Sequence, residues 1–294
     1  MKNLTTILFA TAALLVAAVS CNKEGNEPEG NMAVLSYEVN LSEVTKAFGD
    51  GLTVDKLACS VYDGETLYAN ATVAKADGKF AYTPSLYYGK TYTVVFFAYK
   101  DGAYTVSDDL KTITRSDNGE AADAFTYKET VKINADGTLT IDGAASEQTA
   151  SNHSVTLTRP FAQLNIGSAD LTGMTKVTVT LSSCAASYSA QAEDYAGSQD
   201  VTYISTASEF SSSKFIVDST EYSLVSLNYL FAGSNVTATI KVYNGDTLIR
   251  TVTVDNVPLK ANQKTNIYGN LVKGNLTFNV TMNPGFSTTE NKTI

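Results

Sequence analysis

Tryptophan is absent from this chain, histidine occurs once and cysteine three times in 294 residues. Zinc sites, disulfide frameworks and Cys/His catalytic pairs draw on those residue types, so each of these classes is left nearly without material. Positive charge is also short. Twenty-one Lys and Arg stand against 30 Asp and Glu, a net charge of −9, which withholds the sequence-independent attraction to phosphate that nucleic acid binding needs. No nucleic acid partner is expected. Charged residues make up only 17% of the chain and hydrophobic ones 44%, which excludes a disordered chain and supplies packed cores. The motifs H-E-x-x-H, G-x-S-x-G and G-x-x-x-x-G-K-[ST] are missing, so the common zinc protease, hydrolase and nucleotide-binding chemistries have no signature here. The expectation is a non-enzyme with no catalytic residue, no metal and no cofactor.

A long hydrophobic run occurs at the start. Leu4 to Ser20 carries no charge, follows Lys2 and ends in small residues, the pattern of a secretory signal peptide over residues 1–20. Ala18-Val19-Ser20-Cys21 resembles a bacterial lipobox, which implies that Cys21 is acylated and held by outer-membrane lipid. Loss of Lys2 with the leader leaves 20 basic residues against 30 acidic, a balance of −10. Residues 21–32 read as a lipidated tether, because Asn22 to Gly30 holds Glu24, Glu27, Glu29, Pro28 and two glycines with no apolar period.

From Ala33 onward apolar residues alternate with polar ones, the period of half-buried strands. Leu35, Tyr37, Val39 and Leu41 form one such set in a strand expected over Ala33–Leu41. Val236 to Val242 and Leu248 to Val254 flank Asn244-Gly245 and predict a hairpin. Thr91–Tyr99 (TYTVVFFAY) is apolar on both faces and should be a central strand. Helical periodicity is weak, confined to Asn118–Thr126 and Asp170–Met174. The fold class is therefore all-β, and short strands at regular intervals point to sandwiches. The small, polar stretch Gly143–Asn152 divides the strands, giving β-sandwiches over residues 33–145 and 146–294.

Candidate chemistry is thin in what remains. His153 lies beside Asn152 and Ser154 and reads as a lone surface histidine. Cys59 and Cys184 sit in or beside strands in different halves and are expected to be buried, unpaired thiols. The acidic groups Asp108-Asp109, Asp117 to Asp123 and Glu193-Asp194 lack EF-hand spacing and read as solvated loops.

The segment Arg159-Pro160-Phe161-Ala162-Gln163-Leu164-Asn165-Ile166 resembles the strand that opens the second domain of fimbrillin-like lipoproteins of Bacteroidetes. Lys264 to Leu271, Phe278-Asn279-Val280 and Asn283-Pro284-Gly285-Phe286 resemble the closing strands of that family, and Thr45 to Gly51 with Leu57–Tyr62 its first junction. The resemblance implies two tandem transthyretin-like β-sandwiches in a type V pilin or accessory fimbrial protein. It further implies surface export at the outer membrane, trimming by a trypsin-like protease after the first strand, and assembly with other fimbrial subunits by strand exchange. The matching cut falls between Lys46 and Ala47, where family members usually carry Arg, so an Arg-only protease would leave the subunit anchored.

The physics of that mechanism is legible in the residues. Burying Leu35, Tyr37, Val39 and Leu41 contributes on the order of 6–12 kcal/mol, at about 1.5–3 kcal/mol each. Losing that strand exposes an apolar groove flanked by unpaired backbone, which a strand from another subunit can fill. Leu276, Phe278, Val280 and Met282 alternate as a donor strand would, whereas Phe286 to Ile294 is mostly polar. The competing function is a monomeric surface lipoprotein that binds glycans or host ligands through some of its 17 tyrosines.

Overall fold

The computed structural model describes residues 31–42, 53–116, 123–210, 214–217, 219–233, 235–273, 279–284 and 292–293. Every regular element among them is a β-strand. The first half of the chain contributes β1 (Met32–Val34), β2 (Tyr37–Leu41), β3 (Lys56–Asp63), β4 (Thr66–Ala74), β5 (Phe80–Tyr82), β6 (Ser85–Tyr87) and β7 (Thr91–Tyr99). It continues with β8 (Tyr104–Val106), β9 (Ile113–Arg115), β10 (Ala124–Ile133), β11 (Thr138–Ile141), β12 (Ala144–Thr149) and β13 (His153–Leu157).

Six of these strands form one sheet in the order β12-β11-β10-β7-β3-β4. As the apolar run predicts, β7 lies in its interior, between β10 and β3. Its Tyr92, Val94, Phe96 and Ala98 face one core together with Leu57, Val61, Phe125 and Val131. Val95, Phe97 and Tyr99 face a second core on the other side. The first core is closed by the three-stranded sheet β13-β2-β5 and the pair β1-β6.

The remaining strands are β14 (Phe161–Ser168), β15 (Lys176–Cys184), β16 (Ser187–Ser189), β17 (Asp194–Ala196), β18 (Gln199–Thr206) and β19 (Lys214–Val217). They are followed by β20 (Thr220–Phe231), β21 (Asn235–Asn244), β22 (Thr247–Pro258), β23 (Gln263–Gly269), β24 (Asn279–Pro284) and β25 (Lys292–Thr293). A six-stranded sheet, β19-β20-β14-β23-β24-β25, packs on a four-stranded sheet, β18-β15-β21-β22. Ala162, Leu164 and Ile166 of β14 meet Val177, Val179 and Leu181 of β15 in the core between them. This two-layer arrangement follows from strand alternation, since each sheet has one apolar face to bury.

A further small sheet, β17-β16-β9-β8, draws two strands from each half and covers the outer faces of β3 and β7. Phe161, Tyr188 and Phe231 of the second half join Phe97, Tyr104 and Leu110 of the first in that shared core. Tyr195 of β17 donates to the Pro160 carbonyl at 2.7 Å and lies against Gly233, where any Cβ would sit 2.7–2.9 Å from its side chain. Gly233 also has φ +105°, which other residues rarely adopt.

Several local expectations give way. The helix expected over 118–126 is contradicted where it is described, because Ala124–Thr126 open β10 and pair with Phe97–Tyr99 of β7. Asp170–Met174 is a turn closed by the Met174 N–H on the Leu171 carbonyl at 3.0 Å, too short a segment to meet the cost of nucleating a helix. The hairpin loop is Gly245-Asp246, one residue later than expected, with Asn244 paired to Thr247 and Gly245 at φ +57°. The strand expected over Ala33–Leu41 is broken at Leu35 and Ser36, so that β1 pairs with β6 and β2 with β5 and β13.

The polar stretch 143–152 does not separate pairing partners. β12 lies inside it and pairs with β11, and β13, immediately after it, pairs with β2. Between Leu157, still paired with β2, and Phe161, already paired with β20, the chain passes from the first set of large sheets to the second. There the Arg159 guanidinium grips Asp123 through Nε at 2.9 Å and Nη2 at 3.2 Å, and lies over the Phe125 ring.

Candidate functional site

The first strand is the candidate site, and the residues of β2 explain its hold on the fold. Alternation sends Tyr37 and Val39 inward, each 2% exposed, and the break before them buries Leu35 completely. Leu41, expected to be buried as fully, is only partly so. Three full burials contribute about 5–9 kcal/mol, less than four would.

β2 has a partner on each edge: β13 runs parallel to it from His153↔Tyr37 to Leu157↔Leu41, and β5 antiparallel from Tyr37↔Tyr82 to Val39↔Phe80. Further backbone bonds extend the grip. The Leu35 N–H donates to the Pro84 carbonyl at 2.9 Å, Ser36 N–H to Ala150 at 2.7 Å and Ser42 N–H to Leu157 at 2.9 Å. Removing the strand would orphan donors and acceptors on both neighbours at once.

Beneath β2 lies a polar centre that sequence reasoning missed. Glu129 of β10 points into the first core, its side chain fully buried, and its Oε1 accepts from Tyr37 Oη at 2.7 Å. The same oxygen lies 2.7 Å from His153 Nε2, and Oε2 accepts from Tyr127 Oη at 3.1 Å. His153 is thus not a surface residue: it is 1% exposed and bonded at both ring nitrogens. Its Nδ1 faces Gln148 Oε1 at 2.8 Å, and that oxygen also accepts the Ser154 N–H at 2.6 Å. The error has a physical reason. His153, Val155 and Leu157 alternate on one face of β13, and the polar neighbours Asn152 and Ser154 point the other way. The alternation itself was the available signal.

Burial, with the adjacent Glu129 carboxylate second, holds the Tyr37 hydroxyl well above its usual pKa, so Tyr37 stays a donor. The Glu129 and His153 side chains are sealed from solvent, and the centre fastens β2, β10 and β13 together.

The other predicted positions are dispersed. Cys21, Lys46, Ala47, Leu276 and Phe278 lie outside the described residues. Val280 and Met282 stand in β24, in register with Ile267 and Thr265 of β23, and Met282 is also paired with Lys292 of β25. The described part of the segment considered as a donor strand is therefore engaged in its own sheet. Asp109 is tied into its loop by the Ser107 hydroxyl at 2.6 Å and the Lys111 N–H at 3.1 Å. Among the described residues no three His, Cys, Asp or Glu side chains group as metal ligands would.

Cys59 and Cys184 are buried and unpaired, as expected. Burial alone pushes the Cys59 thiol well up, and burial, partly offset by Arg115, brings Cys184 to about 11. Burial likewise lifts Tyr188 to about 12. Each of these groups ionises more readily in the unfolded chain. Their contribution is intact below the unfolded thiol value near pH 9 and falls as pH rises toward 11–12. Urea midpoints should therefore decline steadily above about pH 9. A midpoint that is constant to pH 11 would contradict these burials.

The fold is similar to that of several solved structures. A candidate adhesin from Bacteroides thetaiotaomicron superposes with a TM-score of 0.51 at 12% identity, over 88% of this chain and 98% of the other. A fimbrial assembly protein from Parabacteroides distasonis gives 0.50 at 13% identity, over 90% and 99%. The tip fimbrial protein of Porphyromonas gingivalis gives 0.49 at 9% identity, over 86% and 99%. No curated protein matches the sequence. Residues 31–293 match the model of a family of unknown function, DUF6562, and the chain belongs to that family.

Proposed function

We propose that this protein is a structural or accessory subunit of a cell-surface fimbria, built as two tandem transthyretin-like sandwiches. It is exported as a lipoprotein anchored in the outer membrane through Cys21. It is assembled when a trypsin-like protease cuts between Lys46 and Ala47 and a strand from another subunit replaces the first one. The observation that carries this reading is the placement of β2. It is the inner strand of its sheet, it fills the first core with Tyr37 and Val39 beside Leu35 just before it, and it lies upstream of the proposed cut. One cleavage then separates both the lipid and a core-filling strand from the rest of the chain, leaving a groove with two hungry edges. The fold shared with a fimbrial assembly protein supports the same reading.

The tyrosines of the described residues do not favour the glycan-binding alternative. Of the 17 tyrosines, Tyr88 alone stands well exposed, and most of the others line the cores. Sugar stacking needs open aromatic faces.

Lys46→Ala tests the mechanism in the native organism. Full-length lipoprotein should stay on the membrane and no polymer should form, whereas wild-type polymers should lack residues 33–41. Normal assembly by Lys46→Ala, or wild-type polymers that retain those residues, would favour a static surface protein.

A further inference from the structure

We propose that the groove beneath β2 selects its occupant by a hydrogen bond: the replacing strand belongs to a different subunit and carries a tyrosine in register with Tyr37. This rests on the strand-release reading above and adds the identity of the partner.

The selecting group is Glu129. Its Oε1 takes one hydrogen bond from Tyr37, and its carboxylate is otherwise held by His153 and Tyr127. With β2 gone, the Tyr37 bond is lost and the other two remain. An incoming strand seals this floor from water again, so it must bring its own donor or leave a buried carboxylate one bond short. The donor has to reach from a strand backbone to Glu129 across a site that a phenol ring fills now. That ring packs edge-on against Phe96 with 5.0 Å between centroids and lies 4.8 Å from the His153 ring. Tyrosine meets both demands, whereas serine or threonine would leave the ring's volume empty.

The chain's own candidate strand fails on this point. Leu276, Phe278, Val280 and Met282 repeat the spacing of Leu35, Tyr37, Val39 and Leu41, with Phe where Tyr37 stands. Its apolar residues match the pockets in kind, but Phe has no hydroxyl to give Glu129. Donation would also cost the β23 and β25 pairings that β24 already makes. The groove therefore discriminates against donation of residues 276–282 by a second copy of this chain, which is specificity by an unmet polar group.

The test uses the full mature chain without lipid, opened by a specific protease at a recognition sequence placed between residues 43 and 52. Three labelled peptides compete for the groove: residues 32–42, the same with Tyr37→Phe, and residues 275–283. The Tyr37→Phe peptide should bind on the order of tenfold to a hundredfold more weakly than the first, the range for a hydrogen bond to a charged group. In a Glu129→Gln protein that ratio should shrink to a few-fold. Should that variant not fold, the ratio on the native protein decides alone. Equal binding of the Tyr and Phe peptides, an undiminished ratio in Glu129→Gln, or equally tight binding of residues 275–283 would overturn the selection while leaving strand release standing. No exchange of any peptide would overturn both.

Discussion

His153→Leu should lower the unfolding free energy by about 3–5 kcal/mol, the usual cost of leaving one member of a buried pair behind. The variant keeps an apolar side chain of comparable size in the core but removes Nε2 from Glu129 Oε1 and Nδ1 from Gln148. Glu129 then sits fully buried with only the Tyr37 and Tyr127 hydroxyls as partners. Chemical denaturation of His153→Leu, Glu129→Leu and the double variant separates the pair from packing. Both single variants should be strongly destabilised, and the double variant should recover much of the loss, because an apolar replacement of a whole buried pair is often tolerated. A surface histidine would give less than about 0.5 kcal/mol in the same experiment.

Arg159→Leu should cost a similar amount, about 3–5 kcal/mol, at the place where the chain passes from one set of partners to the next. Arg159 and Asp123 side chains are both nearly sealed from solvent, and the bond is bidentate. The guanidinium also stacks 4.6 Å from the Phe125 centroid. Leu would withdraw the guanidinium from the buried Asp123 carboxylate. Arg159→Lys should recover little, since an ammonium offers neither the planar fork nor the stacking face. Thermal or urea unfolding that places Arg159→Lys near wild type would show that charge alone is required there.

These two residues show different degrees of legibility. Arg159 stood within a recognisable stretch, yet its partner Asp123 is 36 positions away, in a segment first read as helical. The helical periodicity of 118–126 is weak, and the strand that begins inside it prevails, with Ala124 to Lys132 paired residue by residue with β7. His153 was misplaced because its two sequence neighbours are polar, although residues in a strand share faces with i±2, not i±1. The burial of both cysteines was legible because a lone small thiol in an apolar alternation has few other places to go.

What the sequence determined by itself was local. Alternation fixed the all-β class and located the main strands, and the apolar run of β7 placed it inside a sheet with both faces covered. Those properties depend on residues within a few positions of one another, where the strand period of two acts directly. The tertiary structure alone decided which strands meet. It joined β2 to β13 across 116 positions, built a four-stranded sheet from two distant segments, and put Glu129, His153 and Tyr37 at one point. Parallel pairing needs a long crossover and leaves no adjacent turn to mark it, and a buried carboxylate is stable only where distant donors converge on it. Neither condition can be read from the residues that flank these positions in the chain.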